Sequence, residues 1–211
     1  MKVLILVLSC VKDPYNILMQ GQKETWDSII HSSMKTIYYY GGSKTKLNGD
    51  ELMVNCSDDY YSMHYKFKLT LDYVWEDDWD FIIRTNSSTY INKQRAYNFI
   101  EQNQHINYGG LINGNYITGT NILLSRSTSG ILKEQIPQKT QYEFPSEDVV
   151  IGDVLRNNNY LPEDGLSLSI FNHKTLEVES ADLYRCKTSI NGSDRKFDVK
   201  AFNHIHKKLT E

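Results

Sequence analysis

The chain has 211 residues, 40% of them hydrophobic, with 12 Gly and 4 Pro. That is enough for one good-sized α/β domain, and it excludes a largely disordered chain. A formal charge of −3 argues against a general nucleic-acid binder or a protein held to an anionic membrane by charge.

Lys2 is followed by the apolar run Val3-Leu4-Ile5-Leu6-Val7-Leu8-Ser9-Cys10-Val11. The run looks like a short signal h-region, and Val7-Leu8-Ser9-Cys10 like a lipoprotein cleavage box, but it is too short to span a bilayer. A buried strand over 3–9 is the favoured reading, because parallel strands covered on both faces are continuously apolar. Lys12-Asp13-Pro14 ends that strand, and 11–21 reads as the loop after it. A helix is expected at about 22–35, with Trp26, Ile29, Ile30 and Met34 at helical spacing. Ile37-Tyr38-Tyr39-Tyr40 before Gly41-Gly42 predicts a second strand, and Leu52-Met53-Val54 a third. Ser57-Asp58-Asp59 is placed to cap a helix over 60–75 that carries Tyr61, Tyr65, Lys68, Leu69, Tyr73 and Val74.

Residues 80–84 predict the next strand, which runs into the polar cluster Thr85-Asn86-Ser87-Ser88 and turns apolar again. A helix is expected from Lys93 to Gln102. From Tyr108 to Arg126, four glycines between short apolar runs predict antiparallel strands and close turns. Helices follow at Ser129–Ile136 and Val149–Arg156, then a strand at Leu166–Phe171 and a polar arm at 180–211. Strands alternating with helices in the first hundred residues predict a mixed, mostly parallel central sheet flanked by helices. One domain is expected over 1–211, with a nucleotide-type half at 1–105 and a smaller acceptor half with the C-terminal arm at 106–211.

Several chemistries leave no trace. The chain has no G-x-x-x-x-G-K-[ST], no G-x-G-x-x-G after the first strand, no G-x-S-x-G and no H-E-x-x-H. Cys10, Cys56 and Cys186 form no CxxC pair and are odd in number, which fits a reducing, cytoplasmic compartment. Asn55-Cys56-Ser57, Asn86-Ser87-Ser88 and Asn191-Gly192-Ser193 match the N-glycosylation pattern, which has meaning only in a secreted chain. The 15 tyrosines suit sugar or base contacts, and equally a solvated surface. His204 and His206 share a face if the tail is a strand, but solvated histidines are the simpler reading.

Polar groups at the carboxyl end of a strand in an open α/β sheet mark a ligand site, so 85–88 is the leading candidate. The same residue types also suit a turn that merely reverses the chain. Asp78-Trp79-Asp80 precedes its strand, so it should lie at the other edge and reads as a solvated turn.

Five segments have a recognisable order: Lys23-Glu24-Thr25-Trp26; Asp58-Asp59-Tyr60 with Lys66; the strand and cluster at 80–92; Thr118-Gly119-Thr120-Asn121-Ile122-Leu123-Leu124-Ser125-Arg126; and Glu147-Asp148-Val149-Val150-Ile151-Gly152. Together they resemble the fringe and β-1,3-galactosyltransferase group of GT-A glycosyltransferases over about residues 1–156. The chain is also similar to the glycosyltransferase domains of chlorella-virus proteins that decorate capsids with sugars. The resemblance implies a GT-A-like fold and transfer of a hexose-type sugar from a UDP-sugar to a glycan or glycoprotein hydroxyl. A viral capsid glycan is then one acceptor, and host cytoplasm the compartment. By analogy transfer inverts, with retention left open. The rival reading is a non-catalytic carbohydrate- or nucleotide-binding module of the same fold.

The resemblance makes Asp148 the general base, while a helix N-terminal acid is the structural alternative. It places Ser9, Cys10, Val11, Lys12, Lys66, Arg84, Thr85, Asn86, Ser87, Ser88 and Gly119 around the donor. The family's three metal-site aspartates fall on Asn86, Ser87 and Ser88, so Mn²⁺ or Mg²⁺ has lost its carboxylates here. Ser88 and His173 are the remaining weak metal candidates. Lys12, Lys23, Lys66, Arg84 and Arg126 are candidates to supply the positive charge instead.

Overall fold

The apolar run at the N-terminus lies at the centre of the molecule. The computed structural model describes residues 1–139, 146–171, 176–187 and 195–211, with Lys196 through its backbone only. The first half comprises β1 (Val3–Leu8), α1 (Tyr15–Glu24), β2 (Met34–Gly42), β3 (Lys46–Asn48), β4 (Glu51–Asn55), α2 (Met63–Val74), β5 (Phe81–Asn86), β6 (Thr89–Ile91) and α3 (Lys93–Gln102). The second half adds β7 (Tyr108–Gly110), β8 (Ile112–Asn113), β9 (Tyr116–Ile117), β10 (Ile122–Ser125), α4 (Arg126–Gln135) and α5 (Glu147–Asn157). Then come β11 (Glu163–Asp164), β12 (Leu168–Ile170), β13 (Leu183–Arg185) and α6 (Lys196–Thr210).

Among the described residues, eight strands form one sheet in the order β11-β7-β10-β5-β1-β2-β4-β3. β1 pairs parallel with β2 on one side and with β5 on the other, while β3 and β10 run against their neighbours. The mixed, mostly parallel sheet expected from the sequence is therefore present. Alternation along β1 divides the core: Val3, Ile5 and Val7 face Leu18 of α1, Ile100 of α3 and Phe202 of α6. Leu4 and Leu6 face Phe67 of α2, Leu132 of α4 and Ile151 of α5. Both faces of β1 are covered, which is why its sequence shows no alternation. Among the described residues no helix is long and apolar enough to cross a membrane.

β1 is the topological switch point. The chain goes from β1 outward to β2 and β4, then returns to the other side of β1 with β5, so a crevice opens beyond the carboxyl ends of these strands. After β5 the chain leaves the main sheet through Ser87 and Ser88, and β6 pairs antiparallel with β13 in a separate three-stranded sheet. The polar cluster is thus the joint between two sheets.

Three expectations are corrected. The helix placed at 22–35 lies at 15–24, where a loop was expected, and 22–35 holds its last turn, a short 3-10 segment and the start of β2. Ile30 is 93% exposed, so its helical spacing with Trp26 was coincidental. The 60–75 helix forms, but it buries His64, Lys66, Phe67, Thr70, Leu71 and Val74, while Tyr61 and Tyr73 point outward. The polar arm at 180–211 contains β13 and the 15-residue α6, with Ala201, Phe202 and Ile205 in the core. His204 and His206 therefore sit on a helix rather than on one face of a strand. They contact the Leu176 carbonyl and the Tyr90 hydroxyl, respectively.

Candidate functional site

The carboxyl end of β5 is built around a buried guanidinium. Arg84 points to the α5 face of the sheet, where its Nε donates to the Tyr39 hydroxyl at 3.3 Å. Its two terminal nitrogens donate to the Gly119 carbonyl and to the Glu147 carboxylate, and Glu147 accepts a further bond from Tyr39 at 3.1 Å. Burial disfavours the charge, yet the Glu147 carboxylate and the Tyr39 hydroxyl hold the Arg84 pKa above its ordinary value. Arg84 is an internal strut, and its charge is spent on Glu147.

Gly119 couples this strut to α5. Its N–H donates to Asp148 Oδ2 at 2.9 Å, and its carbonyl accepts from Asn86 Nδ2 at 3.1 Å as well as from Arg84. Asp148 Oδ1 accepts from Ser146 Oγ and from the Val149 N–H, so the carboxylate is held at the start of α5 by neutral donors. Asp148 is partly exposed.

The turn after β5 is also tied down. Asn86 Oδ1 accepts from the Ser88 N–H at 3.0 Å and the Thr89 hydroxyl at 3.4 Å. Gln22 of α1 donates to the carbonyls of Asn86 and Thr89. Thr85 is fully buried, with its hydroxyl on the Thr120 carbonyl, and Ser87 is 4% exposed. Thr85 therefore shapes the 119–120 segment from beneath instead of facing the crevice. Ser88 Oγ accepts from Arg195 Nη2 at 2.9 Å, and its carbonyl from the Cys186 N–H at 2.8 Å.

At the end of β1, Asp58 organises the rim. It accepts from Lys66 at 2.8 Å, from the Gly41 N–H at 3.0 Å and from the Val11 N–H at 3.1 Å. Burial and the Asp58 carboxylate raise the Cys10 thiol, and burial pushes Cys56 up to about 11. Both are neutral thiols at physiological pH, poorly suited to nucleophilic attack. Ser9 is buried against Met19, while Val11 and Lys12 are exposed in the loop beyond it.

The candidate cations separate on geometry. Lys66 is committed to Asp58, and Lys23 to Asp50 and Glu51. Arg126 stacks on Trp75 and Trp79 and donates to carbonyls at the amino end of β5, the opposite edge of the sheet. Asp78 and Asp80 lie at that same edge against Lys2, as expected of them. Arg195, at the start of α6, does reach the turn but was not recognised in the sequence. Its signal was the spacing of Val199, Phe202, Ile205 and Leu209 beyond it, which marks an amphipathic helix.

A divalent cation does not fit the turn. Asn86 and Ser88 offer neutral oxygens already engaged in hydrogen bonds, and a guanidinium lies 2.9 Å from Ser88 Oγ. No group of three His, Cys, Asp or Glu side chains is disposed to hold a metal among the described residues. His173 lies outside the described residues.

No protein-family model matches the sequence, and no curated protein matches it. Among solved structures, the fold is similar to that of a glycosyltransferase involved in the glycosylation of the major capsid of PBCV-1. The TM-score is 0.63, at 14% identity, over 96% of this chain and 99% of that one. The chain accordingly has a GT-A-like fold.

Proposed function

We propose that the protein is a glycosyltransferase that moves a hexose-type sugar from a UDP-sugar to a glycan or glycoprotein hydroxyl. The observation that carries this reading is the state of Asp148. Of the carboxylates gathered at this end of the sheet, Asp58, Glu147 and Asp198 each face a cationic side chain. Asp148 is held by neutral donors and is partly exposed, so its carboxylate is accessible and is not taken up by one of these cations. A carboxylate in that condition suits a general base.

In this reading the acceptor hydroxyl gives its proton to Asp148 as its oxygen bonds to the sugar C1. The bond from C1 to the diphosphate breaks on the opposite face, and UDP leaves with the electron pair. Inversion at C1 follows from a single displacement. The neutral state of Cys10 and Cys56 offers no support for a thiolate route to retention. The uracil is assigned to the rim formed by Cys10, Val11 and Asp58, and the diphosphate to the 86–88 turn. Capsid-type glycan, the setting named for the similar structure, is the first acceptor class to test.

A panel of nucleotide sugars should reveal the donor. At least one UDP-hexose is expected to raise the unfolding midpoint, since a ligand bound to the native state stabilises it. The same compound should release UDP when a glycan acceptor is added. Stabilisation without any UDP release across the acceptor panel would favour the binding-module alternative.

A further inference from the structure

The turn that ends β5 is fastened by a cation carried on the last helix. Arg195 Nη2 donates to Ser88 Oγ at 2.9 Å, and Arg195 Nε donates to Asp198. The Arg195 side chain is 7% exposed and Asp198 is fully buried, so the guanidinium plane is fixed by a partner inside the protein. The remaining polar atoms of the Asn86 side chain are used on Ser88, Thr89 and Gly119. A cation bound at these oxygens would have to displace internal hydrogen bonds and lie against a positive charge.

We infer that this site handles its nucleoside diphosphate without a divalent metal, with the Arg195 guanidinium standing where the cation would otherwise act. The inference rests on the transferase reading and adds to it the means of charge neutralisation. Departure of a diphosphate develops negative charge on its terminal phosphate, which must be met by a positive group already in place. A guanidinium meets it with delocalised charge and up to five N–H donors, of which Ser88 and Asp198 each engage one. The other cations at this end are less suited. Arg84 has all three nitrogens engaged, by Tyr39, Gly119 and Glu147, and Lys66 is held by Asp58, whereas Asp198 and Ser88 engage only Nε and Nη2 of Arg195. Lys12 is exposed in the loop beyond β1. Serine at position 88 fits the arrangement, because it accepts a hydrogen bond from Arg195 without adding a second carboxylate to the one Asp198 already supplies.

Calorimetric titration of UDP into the wild-type protein, once in EDTA and once in Mn²⁺, tests this directly. The expected dissociation constants agree within about twofold. In parallel, the electron paramagnetic resonance signal of free Mn²⁺ should fall no further with protein and UDP together than with UDP alone. Arg195→Gln should weaken UDP at least about tenfold in EDTA. Arg195→Lys, which keeps the charge but not the planar fork, should fall between. Binding of UDP that requires Mn²⁺ would overturn the inference while leaving the transferase reading intact. So would unchanged UDP affinity in a folded Arg195→Gln protein. Absence of UDP binding in either buffer would remove both. If Arg195→Gln fails to fold, the wild-type comparison and Arg195→Lys still decide.

Discussion

Gly119 has no room to spare at the centre of the site. A Cβ there would stand 2.8 Å from Arg84 Nη1 and 3.3 Å from Asp148 Oδ2, the two groups whose positions define the site. The constraint is one of space, because Gly119 is not among the positive-φ glycines. Neither neighbour can give way easily: Arg84 is bound to Glu147 and Tyr39, and Asp148 to Ser146 and Val149. Gly119→Ala is therefore expected to destabilise the fold by about 1–3 kcal/mol in urea denaturation, the range typical of overpacking. It should also slow transfer more than it weakens donor binding, because the displaced group is the proposed base. Wild-type stability and turnover in this variant would show that the Arg84–Gly119–Asp148 chain has more slack than its distances imply. The Glu147–Asp148 pair shows how one motif divides its labour, with Glu147 anchoring Arg84 and Asp148 left chemically available.

At the scale of elements, two sequence errors share one cause. α1 buries only Leu18, Gly21 and Gln22, so its apolar signal is too thin to read. Its Gly21 lies against Val199 and Phe202, which belong to α6. Each helix makes sense only with the other in place, and α6 was read as a polar arm. α3, by contrast, was legible to the residue, because Asn92 caps it and Ala96 and Ile100 lie at helical spacing on its buried face. The tyrosines of α2 misled for another reason. Its buried face mixes the apolar Phe67, Leu71 and Val74 with His64, Lys66 and Thr70, while Tyr73, and Tyr61 just before the helix, add apolar periodicity on the solvent side. The α1–α6 contact also has a functional reading, since α1 supplies Gln22 and α6 supplies Arg195 to the same turn. Phe202→Ala, which empties a fully buried ring site, should cost about 3–5 kcal/mol in denaturant unfolding. It should also weaken UDP binding although it lies off the turn. A loss of stability with UDP affinity unchanged would separate the helix from the site.

For the molecule as a whole, the mixed, mostly parallel sheet with its buried first strand was legible, because a strand covered on both faces is written locally, whereas the strand order was not. The five ordered segments at 23–26, 58–66, 80–92, 118–126 and 147–152 were also enough to indicate the GT-A-like fold. What could not be read was long-range: which cation reaches Ser88, 107 residues away in sequence, and which of Glu147 and Asp148 is taken by Arg84. The account that results is a sheet whose switch point at β1 opens a crevice, with a carboxylate on one side and an arginine-braced turn on the other. Its central claim is that Asp148 is the base of a sugar transfer. The most direct test is Asp148→Asn, compared with wild type for donor affinity by calorimetry and for transfer rate at saturating donor. The amide preserves size and still accepts a hydrogen bond from Gly119, so donor affinity should stay within about twofold while kcat falls by about 10²–10⁴. Unchanged kcat in a folded variant that binds donor normally would contradict the account.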